Sequence, residues 1–119
     1  MSDSREQLLI VQKYETFVDY FYPIVQNIPR QHGVAKEMML RDILGQVSLF
    51  IKAGKSNQIS KLYEADAGLS QLRYWLRFCS NKKINIITLN QHRAAEVMLS
   101  EVGRILGSWI SHKQNPSKV

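Results

Sequence analysis

Apolar residues recur every three or four positions along four long stretches of the chain, and polar or charged residues occupy the positions between them. This period places the apolar side chains on one face of an α-helix. The period breaks at three short segments that contain proline, glycine or clustered polar residues. The pattern predicts no strand and four helices, which cover about residues 5–28, 34–53, 58–80 and 88–112.

The connections between these helices are short, which favours antiparallel packing of consecutive helices. We therefore expect an all-α fold, a single up-down-up-down antiparallel four-helix bundle that spans residues 1–119. The last residues, 113–119, contain Pro116 and are expected to fray.

The ends of the helices carry local signals. Ser4 with Gln7, and Thr88 with Gln91, have the spacing of a capping box, in which each side chain satisfies a free backbone N–H of the first turn. Gly54 stands where a glycine commonly caps the C-terminus of a helix. These signals predict that the first helix begins after Ser4 and that the second ends just before Gly54.

The apolar rows define the predicted core. On the first helix the row is Ile10, Tyr14, Phe17, Phe21, Ile24 and Ile28, and on the second it is Leu40, Ile43, Leu44, Val47, Phe50 and Ile51. The third helix contributes Leu62, Ala65, Leu69, Leu72, Leu76 and Cys79, and the fourth contributes Ala95, Met98, Val102, Ile105, Leu106 and Trp109. Because Cys79 belongs to such a row, we interpret it as a small buried hydrophobic residue rather than a reactive thiol.

Three aromatic residues of the third helix lie away from its leucine row, Tyr74 and Phe78 on the far side and Trp75 at the boundary. A single bundle would expose them, unless the apolar loop residues at 84–87 fold back over them. Exposed aromatic side chains are typical of interfaces. We therefore expect a homo-oligomer in preference to a covering loop.

Two glycines inside the fourth helix, Gly103 and Gly107, add to this expectation. A glycine within a helix costs about 1 kcal/mol relative to alanine. Their presence indicates a close approach to the helix backbone, either by another subunit or by a neighbouring helix of the same bundle. The predicted oligomer interface therefore comprises Tyr74, Trp75, Phe78, Gly103 and Gly107.

Positive charge is unevenly distributed. The net charge is +6 and the sequence pI is about 9.6. No acidic residue occurs between Asp66 and Glu96, a stretch that contains Arg73, Arg77, Lys82, Lys83 and Arg93. None occurs between Asp42 and Glu64, where the bases are Lys52, Lys55 and Lys61. This distribution favours a polyanionic partner such as nucleic acid, although a basic surface that only aids solubility is the alternative.

No catalytic or cofactor site is expected. No glutamate is followed by a histidine three residues later, which is the pattern of dimetal four-helix bundles. His92 and Glu96 could share a metal ion, but two ligands do not make a site. No glycine-rich phosphate loop precedes a helix, and no nucleophile–base pair is visible.

The compartment is expected to be cytoplasmic. A single cysteine fits a reducing environment. The first five residues are polar and include Asp3, unlike a secretory signal. No apolar run approaches the ~20 residues of a membrane span, so no membrane association is expected.

Four stretches closely resemble the accessory variability determinant (Avd) proteins of diversity-generating retroelements. They are YPIVQNIPRQHGVAKEM at residues 22–38, LGQVSLFIKAGKSNQISKLYEADAGL at 44–69, LRYWLRF at 72–78 and EVGRILGSWI at 101–110. The last two motifs together are quite specific. A wider set of bacterial four-helix proteins, including those encoded in ribosomal RNA intervening sequences, is similar only in architecture.

The resemblance implies a four-helix bundle that assembles as a homopentameric barrel with a basic surface. It implies binding to the retroelement reverse transcriptase and to RNA and DNA, without catalytic activity or a cofactor. Such proteins act in a bacterial host and support synthesis of adenine-mutagenised cDNA, which then replaces part of a variable gene. The basic residues of the family motifs match Arg73, Arg77 and Arg104 here, whereas the loop at 81–87 departs from the family pattern.

We therefore predict a non-catalytic, ring-like accessory protein that joins a reverse transcriptase to its RNA. The predicted binding residues are basic: Arg73, Arg77, Arg93, Arg104, Lys52, Lys55 and Lys61. Two alternatives remain. One is an oligomeric adaptor whose basic surface binds only an acidic protein, and the other is an RNA-associated bundle unconnected with a retroelement.

Overall fold

Four α-helices and one short 3₁₀ turn form the chain in the computed structural model, which describes residues 2–115. The helices are α1 (Ser2–Gln26), α2 (Gly33–Lys55), α3 (Ile59–Ser80) and α4 (Leu89–Gln114), and the 3₁₀ turn Arg30–His32 precedes α2. The predicted four-helix all-α fold is confirmed, and the described residues contain no strand. Part of the predicted frayed tail, residues 116–119, lies outside the described residues.

Each helix packs against two others. α1 packs against α2 and α4, and α3 packs against the same two helices. Gln7, near the start of α1, occupies the space beside Gly54, near the end of α2. At the start of α3, the hydroxyl of Tyr63 accepts a hydrogen bond from Gln114 Nε2 at the end of α4 (2.8 Å). The α1–α2 groove and the α3–α4 groove therefore lie on opposite sides of a molecule that measures 50 × 23 × 20 Å.

The capping predictions have mixed outcomes. The capping box of α4 is confirmed, because Thr88 Oγ1 accepts from the Gln91 backbone N–H (3.0 Å) and Gln91 Oε1 accepts from the Thr88 backbone N–H (2.9 Å). The cap predicted at Ser4 is wrong, since α1 already begins at Ser2. Gly54 does not end α2 either. It lies within the helix, where its missing Cβ makes room for the Gln7 side chain.

The core follows the predicted rows of α1, α3 and α4 with small shifts. Leu99 is fully buried in α4, whereas the predicted Met98 is half-buried against the core. Cys79 is buried, as its place in the α3 row predicts, and its Sγ lies 3.5 Å from Met39 Sδ. Burial raises the pKa of the Cys79 thiol to about 11.

The core row predicted for α2 is partly correct, because Ile43 and Phe50 are buried and Leu40 and Val47 pack against the core. Leu44 and Ile51 were predicted to point inward, but they are 55% and 40% exposed. The buried residues of α2 are Met39, Ile43, Gln46, Phe50 and Ala53. Gln46 is tolerated in the core because its Nε2 donates to the carbonyl oxygen of Ala65 in α3 (2.8 Å). Leu44 and Ile51 are therefore left at the surface of α2.

Candidate nucleic-acid interface on the third and fourth helices

Arg73 of α3 reaches across the α3–α4 groove and lies against Gly103 of α4. A Cβ placed on Gly103 would come within 2.6 Å of Arg73 Nη2. The close approach that Gly103 indicates is therefore made by a neighbouring helix of the same chain. This contact holds the half-buried Arg73 side chain against the backbone of α4.

Arg77 lies one turn after Arg73 on α3 and is exposed. Neither arginine forms an ion pair with a described carboxylate. The sequence accounts for this, because α3 has no acidic residue after Asp66. Gly107, one turn beyond Gly103 on α4, has open space where a Cβ would stand. The groove thus presents two uncompensated guanidinium groups beside an open helix backbone.

Arg104 differs from these two arginines because its charge is partly neutralised. Its Nη2 donates to Glu101 Oε1 at 2.5 Å, within α4. The hydrogen bond from Arg104 lowers the pKa of the Glu101 carboxyl, as do the charges of Arg104 and Lys13. The same hydrogen bond raises the pKa of Arg104. The Arg104 side chain is exposed and the Glu101 side chain is partly exposed, so the pair remains accessible to solvent.

The remaining predicted binding residues lie near the ends of their helices. Lys52 and Lys55 are exposed in the last turn of α2. Lys61 is paired with Glu64 (3.3 Å) near the start of α3, roughly 18 Å along the helix axis from Arg73. Arg93 is exposed near the start of α4. The seven basic residues therefore come from three helices, and two of them, Lys61 and Arg104, form ion pairs within their own helices.

Comparison with sequence models of known protein families identifies the family of this chain. A sequence model described as bAvd-like matches residues 8–113, which include every basic residue named above for the site. The chain belongs to the bAvd-like family. No match to the chain is found among curated proteins. The family assignment confirms the resemblance to Avd proteins that the sequence motifs indicate.

The aromatic residues of this bAvd-like chain are arranged differently from the prediction. Trp75 was expected at the surface, but it is 5% exposed, and its indole Nε1 donates to Asp42 Oδ2 of α2 at 2.7 Å. Asp42 lies 33 residues earlier in the chain, so no local pattern links the two residues. The buried indole is stabilised within the bundle and does not present a surface to another subunit.

Tyr74 and Phe78 have different exposures. The loop after α3 folds back on the helix end, where the backbone N–H groups of Ile86 and Ile87 donate to the carbonyl oxygen of Cys79 (2.8 and 3.1 Å). Ile87 is buried there, and Phe78 is half-buried against the core. Tyr74 remains 47% exposed. The loop thus packs on the end of the bundle, and the exposed residue of the aromatic cluster is Tyr74.

Other kinds of site find no support in the described part of the bAvd-like chain. Among residues 2–115, no three histidine, cysteine, aspartate or glutamate side chains lie close enough together to hold a metal ion. Within the same residues, no helix combines the length and the apolar character needed to cross a bilayer.

The two glycines of α4 offer a test of the Arg73 contact. Gly103→Ala should displace the Arg73 guanidinium and lower RNA affinity about threefold to tenfold. Gly107→Ala meets no neighbour, so it should leave RNA affinity unchanged. Both variants should be as stable as the wild type or up to about 1 kcal/mol more stable, because alanine favours a helix and the Arg73 side chain is flexible. RNA titrations and urea unfolding measure the two effects, and equal RNA affinity in both variants would contradict a role for the contact.

Proposed function

We propose that this bAvd-like protein is a non-catalytic accessory protein of a diversity-generating retroelement. It binds the retroelement reverse transcriptase and nucleic acid in the cytoplasm of a bacterial host and supports mutagenic cDNA synthesis and retrohoming. The match of the bAvd-like family model to residues 8–113 carries this proposal, and the arginine pair, Arg73 against Gly103 and Arg77 exposed one turn later, supports its nucleic-acid part. Membership of the bAvd-like family supports the retroelement context.

The arginine pair suits phosphate recognition. A guanidinium group donates several hydrogen bonds in a fixed plane, and these bonds strengthen when the acceptor is an ionised phosphate. Arg73 is already positioned by α4, so less side-chain freedom is lost on binding. Contacts to phosphate carry no sequence information, and binding through them weakens as salt rises. RNA and DNA are therefore both expected ligands, with little sequence preference.

The same proposal includes assembly of an up-down-up-down bundle into a ring-like homo-oligomer, a pentamer by resemblance to the Avd family. The α1–α2 groove is the proposed contact surface. On α2 its apolar row is spaced by four, three and four residues: Leu40, Leu44, Val47 and Ile51. On α1, Val11 and Val18 follow Gln7 at helical spacing on the side that faces α2, and Leu8 is 61% exposed.

Charge at the edges of this groove favours a second copy of the chain as its occupant. Glu15 and Asp19 are exposed on the α1 edge, and Lys52 and Lys55 are exposed on the α2 edge. The acidic α1 edge of one copy can therefore pack head-to-tail against the basic α2 edge of the next and cover the exposed apolar residues of α2, a kind of contact that closes into a ring. Because the α3–α4 groove lies on the opposite side of the bundle, it stays open to nucleic acid in such an assembly.

The direct test is a pull-down of the co-expressed retroelement reverse transcriptase by the tagged protein, with and without nuclease. The wild type should retain the enzyme after nuclease treatment, and Arg73→Ala/Arg77→Ala should retain less. Retention that disappears with nuclease would mean that RNA bridges the two proteins. Failure to retain the enzyme under any condition would overturn the proposal, and binding to an acidic protein without affinity for RNA would favour the adaptor alternative.

A further inference from the structure

Tyr74 is an exposed aromatic residue within the basic part of α3. It is 47% exposed and lies between Arg73 and Arg77 in the sequence. Tyr74 and Arg77 are three residues apart, so their side chains are neighbours on the outer surface of the helix. The Tyr74 ring therefore adjoins the Arg77 side chain, while Arg73, the preceding residue, lies toward α4.

The Tyr74 ring is supported from within the bundle. It contacts the Trp75 ring edge-to-face, with centroids 5.3 Å apart, and lies 6.3 Å from the ring of Phe78. Trp75 is in turn held by its hydrogen bond to Asp42 of α2. These contacts restrict the Tyr74 side chain before any ligand binds, while nearly half of the residue stays accessible.

Resting on the proposed function, we propose that Tyr74 stacks on an unpaired base of single-stranded nucleic acid while Arg73 and Arg77 hold the adjoining phosphates. Aromatic side chains on a basic surface bind single strands because every base has a face on which a ring can stack. In a duplex the faces of the bases are already stacked on each other, so a duplex offers this surface only its phosphates. The Tyr74 ring should therefore contribute to the affinity for single strands and not to the affinity for duplexes.

Tyr63 provides a matched control on the same helix. It is 46% exposed, almost the same as Tyr74. It lies eleven residues earlier, where its hydroxyl is bonded to Gln114 and its neighbours Lys61 and Glu64 form an ion pair. If removal of any exposed tyrosine weakens binding, variants at both positions should lose affinity for single strands. If base stacking beside the arginine pair matters, only the Tyr74 variant should lose it.

The test compares the affinities of the full-length protein for a labelled single-stranded oligonucleotide and for its duplex, by fluorescence anisotropy. Tyr74→Leu should weaken single-strand binding about tenfold and leave duplex binding unchanged. Tyr74→Phe keeps the ring and should bind both ligands like the wild type. Tyr63→Leu should also behave like the wild type. Tyr74→Gln also removes the ring but introduces a polar side chain, which suits an exposed helix position, and it should give the same result as Tyr74→Leu.

Two results would overturn the stacking proposal and leave the proposed function intact. The first is the absence of a selective effect in Tyr74→Leu, which means either an equal loss of single-strand and duplex affinity or no loss of either. The second is a change in assembly mass by light scattering without a selective loss of single-strand affinity, which would make Tyr74 a subunit contact. If the wild type binds neither ligand, the nucleic-acid part of the proposed function fails together with the stacking proposal.

Discussion

Replacing Arg73 and Arg77 together by alanine is expected to lower RNA affinity at least about tenfold, because each guanidinium can donate charge-assisted hydrogen bonds to phosphate. The dependence of the binding constant on salt should weaken as well, by about 0.7 in logarithmic slope for each lost contact to a single strand. The folded bundle should be little affected, since neither arginine forms an ion pair with a described carboxylate. RNA titrations over a series of salt concentrations and thermal melts measure these quantities.

A control that removes the same charge elsewhere is available on α1, which does not pack against α3. Arg5 and Lys13 are both exposed there, and Arg5→Ala/Lys13→Ala lowers the net charge by the same amount. We expect this control to lose much less RNA affinity than the α3 variant. Equal losses would show that total charge governs binding rather than the α3–α4 groove. A sharp fall in the melting temperature of Arg73→Ala/Arg77→Ala would show that these arginines serve the fold instead.

Replacing Leu44 by aspartate is expected to dissociate the proposed assembly into single chains of 13.8 kDa. Leu44 is 55% exposed in one chain, so the bundle itself can accept a polar residue at this position. Within the proposed subunit contact, however, the new carboxylate would be buried among the apolar rows of the α1–α2 groove, which is strongly unfavourable. Light scattering coupled to size-exclusion chromatography measures the mass, and circular dichroism measures the helix content.

Val97→Asp on α4 is the matched control for this substitution. Val97 is 71% exposed and lies outside the α1–α2 groove, so its replacement should leave the wild-type mass unchanged. A Leu44→Asp protein that keeps the wild-type mass would exclude the α1–α2 groove as the contact. A wild type that is already a single chain in solution would exclude the assembly altogether.

The sequence predicted features that depend on residues close together in the chain. The capping box at Thr88 needs only Gln91 three residues later, and the structure contains both of its hydrogen bonds. The α2 core row was correct at Ile43 and Phe50 but wrong at Leu44 and Ile51, and polar Gln46 is buried instead. Gln46 is accommodated in the core by its hydrogen bond to the carbonyl oxygen of Ala65 in α3, a partner that the α2 sequence cannot reveal.

In the candidate site, too, the sequence predicted local features but not contacts between residues that are distant in the chain. Periodicity placed Arg73 and Arg77 off the core face, and family motifs named both of them. The position of Trp75 depended on Asp42, and the meaning of Gly103 depended on Arg73, both of which are distant in sequence. A glycine inside a helix signals a close approach, but only the packing of α3 on α4 identifies which side chain makes it.

The contact between Arg73 and Gly103 joins two positions 30 residues apart into one structural unit. The guanidinium occupies the volume that a side chain at position 103 would need. A change at either position therefore alters what the other can accept. Among bAvd-like sequences, glycine at the position of Gly103 should accompany arginine at the position of Arg73, and larger residues at the first position should accompany shorter ones at the second. Natural selection that maintains the groove should therefore be visible as correlated substitutions at these two positions of α3 and α4.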